Sequence, residues 1–168
     1  MKYILETDRL KLRELTIEDA DFIITLLNSP GWLEFIGERN VRTKEQAKAY
    51  IENGPIKSYA ENGFGLSLVE TKDTLEPIGM CGMLKRDSLD SPDIGFAFLQ
   101  EFTGKGYAFE IANATLSNVR DRLNILKVSA IIKPGNERSI RLIEKLGLRF
   151  IQTFSHPNST EELLLYQN

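Results

Sequence analysis

Between Phe102 and Ala112 the chain reads FTGKGYAFEIA, two glycines bracketing a lysine just ahead of a helical run. Glycines let the backbone turn tightly, and a helix opening directly after them presents free N–H groups and the positive end of its dipole. The chemistry such a loop can do is anion binding, with phosphate as a natural occupant. The bland alternative is a turn that starts a helix and holds nothing. Two nucleotide patterns fail on spacing. A P-loop requires G-x-x-x-x-G-K-[ST], which Gly104-Lys105-Gly106-Tyr107 does not supply. A dinucleotide fingerprint counted from Gly104 puts Phe109 where a small residue must pack, and it belongs after the first strand of a parallel sheet.

Few other side chains offer reactive chemistry. Cys81 is the only cysteine and His156 the only histidine among 168 residues. An internal disulfide and a cysteine-rich zinc site are thereby excluded, and no metal is expected. A Ser-His-Asp hydrolase would have to use His156, yet no G-x-S-x-G elbow accompanies it. His156 falls in a Pro/Asn/Ser loop, where a lone histidine is ordinarily just exposed. Cys81 falls in an apolar run, where packing is the ordinary role. The net charge of −3 is spread along the chain rather than blocked, so no nucleic-acid partner is expected. No apolar run is long enough to span a bilayer, and MKYILETDRLKLREL lacks the apolar core of a signal peptide. A soluble protein of the cytoplasm, without a membrane partner, is the expectation.

The elements that must position these residues follow from periodicity. Residues 10–15 alternate as a strand, and Thr16 with Asp19 approximates a capping box ahead of a helical stripe at Ile17, Phe22, Ile23 and Leu26. Pro30-Gly31 reads as a break, followed by an irregular aromatic stretch, WLEFIGERN. Thr43 opens a second helix that Gly54 and Pro55 end. Residues 64–70 and 77–84 read as a hairpin around the turn TKDTLE, and residues 85–92 as a loop. Ile94, Phe96 and Phe98 mark a further strand, which runs into the glycine loop and a long helix from about Lys105 to Asn124. LKVSAII (126–132) reads as a buried strand, and Asn136 caps a helix that Gly147 stops. LRFIQTF and ELLLYQ close the chain as two strands. The order predicts an α/β (α+β) fold: residues 1–168 as one domain, with a mixed sheet of about six to seven strands flanked by about four helices.

The hexapeptide Thr103-Gly104-Lys105-Gly106-Tyr107-Ala108 resembles the [QR]-x-x-G-x-[GA] pyrophosphate loop of the GNAT N-acetyltransferase superfamily. GKGYA followed by Glu110, the downstream NERSIRLIEKLGL, and the opening ETDRLKLRELTIEDADFI are together similar to the branch containing ribosomal-protein (alanine) N-acetyltransferases. The likeness covers nearly the whole chain. Thr103 departs from it, standing where the superfamily carries Gln or Arg.

The resemblance implies acetyl transfer from acetyl-CoA to a primary amine, by direct attack in a ternary complex. It places the pyrophosphate on amides of residues 104–109, with Thr103, Gly104, Lys105, Gly106, Tyr107, Ala108 and Phe109 forming the loop. The pantetheine arm then lies along Phe96, Ala97 and Phe98 as an extra strand, with the Phe98 amide polarising the thioester carbonyl. Asn136 and Ser139 match the N-x-x-S positions beside the cofactor arm. Read without the resemblance, Asn136 is simply a helix cap. Many members carry a Tyr seven residues after this Asn as the acid for the thiolate. Ile143 stands there, leaving Ser139 as the nearest replacement. Asp93, at the start of the strand that would carry the thioester, is the candidate base; the alternative is a solvated strand-end carboxylate. Trp32, Glu34, Phe35 and His156 are expected around the amine acceptor, which is either a protein N-terminus or a small molecule. Monomer and homodimer stay open. A different class of function, an acyl-CoA-binding sensor without catalysis, is the alternative that the missing Tyr raises.

Overall fold

Short alternating strands bury one side chain up and the next down, and here both faces of the sheet are covered. The computed structural model describes residues 1–168. Its strands are β1 (Tyr3–Glu6), β2 (Leu10–Arg13), β3 (Leu66–Thr71), β4 (Pro77–Leu84), β5 (Asp93–Phe98), β6 (Ser129–Ile132), β7 (Arg149–Phe154) and β8 (Leu163–Gln167). They form one sheet in the order β1-β2-β3-β4-β5-β6-β8-β7. All neighbours are antiparallel except β5 and β6.

The helices are α1 (Ala20–Leu27), α2 (Pro30–Phe35), α3 (Lys44–Ile51), α4 (Lys57–Asn62), α5 (Tyr107–Leu123) and α6 (Glu137–Lys145). Leu68 on β3 and Met80 on β4 pack with Ile23, Leu26, Ala47 and Ile51 on one face. Their neighbours Val69 and Cys81 pack with Ile111, Ala112, Val119 and Ile143 on the other. Two cores therefore sandwich β3 and β4, and α5 crosses from β5 to β6 over the second of them.

Several expectations need correction. The sheet has eight strands, because Tyr3–Glu6, to which periodicity assigned no element, pairs with β2 as a strand of its own. Pro30-Gly31 does not break the chain but begins α2, since a proline in the first helical turn sacrifices no hydrogen bond. Gly54 and Pro55 do not end the third helical segment either. Residues Glu52–Ile56 form a π turn that absorbs Pro55, so α3 and α4 make one bent helical run. Counting that run once gives five helices. The long helix also begins at Tyr107, two residues later than expected.

The N-terminal corner is locked by a buried ionic cluster. Arg13 donates from Nε to Glu70 at 3.1 Å and from Nη1 and Nη2 to Asp19 at 3.0 and 2.8 Å. Asp19 also accepts from the Thr16 amide at 2.8 Å, and Tyr3 donates its hydroxyl to Glu70. Burial works against the Asp19 charge, but the guanidinium and the amide prevail and hold its carboxyl below the usual range. A depressed carboxylate contributes stability that is present at neutral pH and lost as pH falls through its folded-state value. Arg13→Met should cost about 3–5 kcal/mol, because it strands two buried carboxylates. Urea unfolding at pH 7 measures that loss, and an unchanged midpoint would contradict it.

Candidate active site

Parallel β5 and β6 pair at one position, Asp93 opposite Ser129, and then part. The junction is pinned by Ser129 N–H on the Pro92 carbonyl at 2.8 Å and by the hydroxyls of Ser91 and Ser129, 2.6 Å apart. Leu99 N–H bonds the Ile78 carbonyl at 3.0 Å, which orients the odd-numbered residues of β5 toward β4. By the two-residue alternation of a strand, the amides of Phe96 and Phe98 point to the other edge, where β6 has moved away. A row of backbone donors and acceptors is left for something other than β6.

The glycine loop continues from that edge. Gly104 (φ +75°) and Gly106 (φ +82°) both adopt the left-handed region, which side-chain-bearing residues enter at a cost. Gly106 caps α5, and Glu110 is the first residue of that helix whose amide finds a carbonyl, that of Gly106 at 3.1 Å. The amides ahead of it are the free donors that open any helix. Thr103 turns its hydroxyl onto the Gln100 carbonyl, and the Lys105 ammonium lies over the Phe102 ring at 5.5 Å. Neither side chain is needed for the turn's donors.

A brace holds this loop to the opposite end of the sequence. Glu110 accepts from the Thr7 hydroxyl at 2.6 Å, from the Arg9 amide at 3.0 Å and from Arg9 Nε at 2.7 Å. Arg9 then donates Nη1 to the Lys105 carbonyl at 2.9 Å and lies over the Tyr107 ring. Thr7 and Arg9 were not among the residues singled out from the sequence. Their only signal there was the pairing of two distant motifs, ETDRLKL and GKGYAFE.

Where β5 and β6 separate, a cleft of about 1140 Å³ opens, lined by Asp93, Phe96, Ala97, Asn136, Ser139 and His156, with Trp32, Phe35 and Tyr50 on the helical side. Asp93 is buried and takes Arg86 Nε on both oxygens, at 3.1 and 3.2 Å. It is thus neither solvated nor unpartnered. Burial pushes its carboxyl up, and Arg86 opposes that in part. His156 Nδ1 lies 3.2 Å from the Ser88 hydroxyl, and its ring meets Phe154 edge-on. Asn136 uses its side-chain oxygen on the Ser139 amide at 3.4 Å, so it caps α6 while lining the cleft. Ile143 sits fully buried behind it. Glu34 stands on the exposed face of α2 and lines no part of the cleft; its carbonyl receives Lys133. The glycine loop and Phe98 lie past the cleft wall, toward the end of β5.

A family model described as an acetyltransferase (GNAT) domain matches residues 9–149. YkkB of Bacillus subtilis, an uncharacterised protein, is 32% identical over 154 residues, which span 89% of this chain and 87% of its own. YoaA of the same organism, named as an uncharacterised N-acetyltransferase, is 26% identical over 162 residues, 94% of this chain and 90% of its own. Among solved structures, RimL, a ribosomal α-N-protein acetyltransferase in complex with coenzyme A, superposes with a TM-score of 0.84 at 14% identity, covering 99% of this chain and 97% of its own. That last likeness is one of fold.

The Cys81 thiol is fully buried against Thr115 and pushed up to about 12 by burial, so no thiolate forms at working pH. Ellman's reagent at pH 8 should leave the folded protein unmodified and react once per chain in denaturant. Fast reaction with the native protein would contradict this placement.

Proposed function

Because the chain belongs to the GNAT acetyltransferase family, we propose that it moves an acetyl group from acetyl-CoA to a primary amine by direct attack in a ternary complex. The observation that carries the reading is a line of unused backbone groups in two stretches, the open edge of β5 and the amides ahead of Glu110, separated by the hydrogen-bonded turn Gln100–Phe102. That line suits an arm that adds a strand and ends in a pyrophosphate.

Acetyl-CoA supplies the acyl group and a thiolate leaving group. The protein's own groups do the rest. Amides of residues 104–109 neutralise the pyrophosphate, held in place by the Arg9–Glu110 brace. The amides of Phe96 and Phe98 receive the arm, and that of Phe98 polarises the carbonyl, favouring negative charge on its oxygen. Asp93 accepts the proton that the attacking amine must lose, and Arg86 keeps its carboxylate oriented. The Ser139 hydroxyl, which lines the same cleft, relays a solvent proton to the departing sulfur, taking one from water as it gives its own. A thiolate leaves readily, so this last step asks little of the protein. The acceptor approaches from the side of Trp32, Phe35 and His156.

Calorimetric titration should show acetyl-CoA binding to the wild type. Gly106→Glu should weaken it about tenfold or more, through strain at a left-handed position and repulsion of phosphate. Absence of binding to the wild type at millimolar ligand would remove the reading's foundation.

The rate of thiol release should rise with pH along a limb displaced above the ordinary carboxylate range, as Asp93 loses its proton. Asp93→Asn should flatten that limb and lower kcat/KM by about 10²–10⁴-fold. An unaltered profile would restrict Asp93 to a structural part.

A further inference from the structure

The helical wall of the cleft carries a group of unspent donors, set apart from the acceptor Glu61, which Lys57 pairs at 3.9 Å. Trp32 is 6% exposed, and its Nε1–H is the one buried side-chain polar atom that finds no partner in the chain. An indole nitrogen can only donate, so this group waits for an acceptor. The Arg39 guanidinium lies 6.0 Å from the centre of the Trp32 ring and lines the same cleft. Its sequence neighbour Glu38 is already engaged by Arg42 at 2.9 Å, and Arg39 forms no ion pair of its own. The Tyr50 hydroxyl, close enough to Arg39 to feel its charge, makes no hydrogen bond within the chain. Across the cleft Arg86 is matched by Asp93 and Lys133 by Glu161 at 3.3 Å, while Lys85 lines that side without an ion pair.

We propose that Trp32, Arg39 and Tyr50 bind a carboxylate carried by the same molecule that presents the amine. The proposal deepens the transferase reading and rests on it for the amine, though not for the carboxylate. A carboxylate is the complement of these groups. It accepts two bonds from an arginine fork and has lone pairs left for the indole and the phenol. The two ends of the cleft then match a molecule with an amine at Asp93 and an acid at Arg39. A polyamine has nothing to offer the donor wall, and its second cation would face Arg39. A free amino acid and an acidic N-terminal peptide segment both carry this chemistry, and the measurement separates them.

Trp32 is the only tryptophan, so its fluorescence reports directly on this wall. The probes are L-glutamate, Ala-Asp amide, its neutral counterpart Ala-Asn amide, and spermidine, each titrated in the presence of coenzyme A. The expected result is saturable change with glutamate, with Ala-Asp amide, or with both, and none with the neutral and polycationic probes. Whichever acid responds identifies the source. Arg39→Gln should weaken that response about tenfold or more while calorimetric binding of acetyl-CoA stays as in the wild type. In kinetics, kcat/KM for the acidic probe should exceed that for Ala-Asn amide by about tenfold or more. Both Arg39→Gln and Trp32→Phe should erase the preference, the latter keeping a ring while removing the donor.

Equal use of Ala-Asp and Ala-Asn amides, or preference for spermidine, overturns the carboxylate site and leaves the transferase reading standing. Carboxylate-dependent fluorescence change without thiol release from any amine does the reverse.

Discussion

The cleft and the open strand edge beside it depend on β5 and β6 parting after a single paired position. A parallel pair that stayed in register would spend the donors of Phe96 and Phe98 on β6 and close the cleft. The junction therefore has to be firm at one end and open at the other. The Pro92–Ser129 bond and the buried pair of serine hydroxyls supply the firm end. Beyond it, β6 satisfies its hydrogen bonds with β8 instead. The sheet is continuous in topology yet open at this edge, and the core that contains Ile94, Ala130 and Ile132 ties its two halves together on one face.

Charge is used in two distinct ways. In the N-terminal corner, Arg13, Asp19 and Glu70 are all buried and mutually satisfied, and their role is to hold β2, β3 and the turn before α1 together. Around the cleft and loop, each ion pair has at least one partly open member. Glu110 and Arg9 tie the start of α5 to the N-terminal strands, and Arg86 pairs a buried carboxylate beside the junction. The first cluster is closed to solvent, whereas the second keeps one edge in contact with it.

Local pattern carried much of the fold. Alternation at Ile94, Phe96 and Phe98 identified β5, and the paired glycines identified the turn into α5. Both signals are written in neighbouring residues. What escaped was of two kinds. Pro30, Gly54 and Pro55 obey general rules for ending helices, yet a first-turn position and a π turn accommodate them here, and only tertiary packing decides between those outcomes. The contact of Arg9 with Glu110 spans 101 positions, and no periodicity encodes it. The cleft was legible in part: Asp93, Asn136, Ser139 and Trp32 all line it, but nothing in the sequence says that Trp32 lacks an acceptor or that Glu34 faces away.

One feature of the interior has a bearing on turnover. Acyl transfer from a thioester leaves a free thiol in the cleft at the end of each cycle, and free thiols exchange with accessible cysteines or form mixed disulfides with them on oxidation. The chain's single cysteine lies on β4, across the ladder from Phe96, where the arm would run. It is close in register yet sealed in the core that α5 covers, protonated and packed against Thr115. The catalyst is thereby insulated from its own product, and its redox surroundings can change without the protein trapping itself.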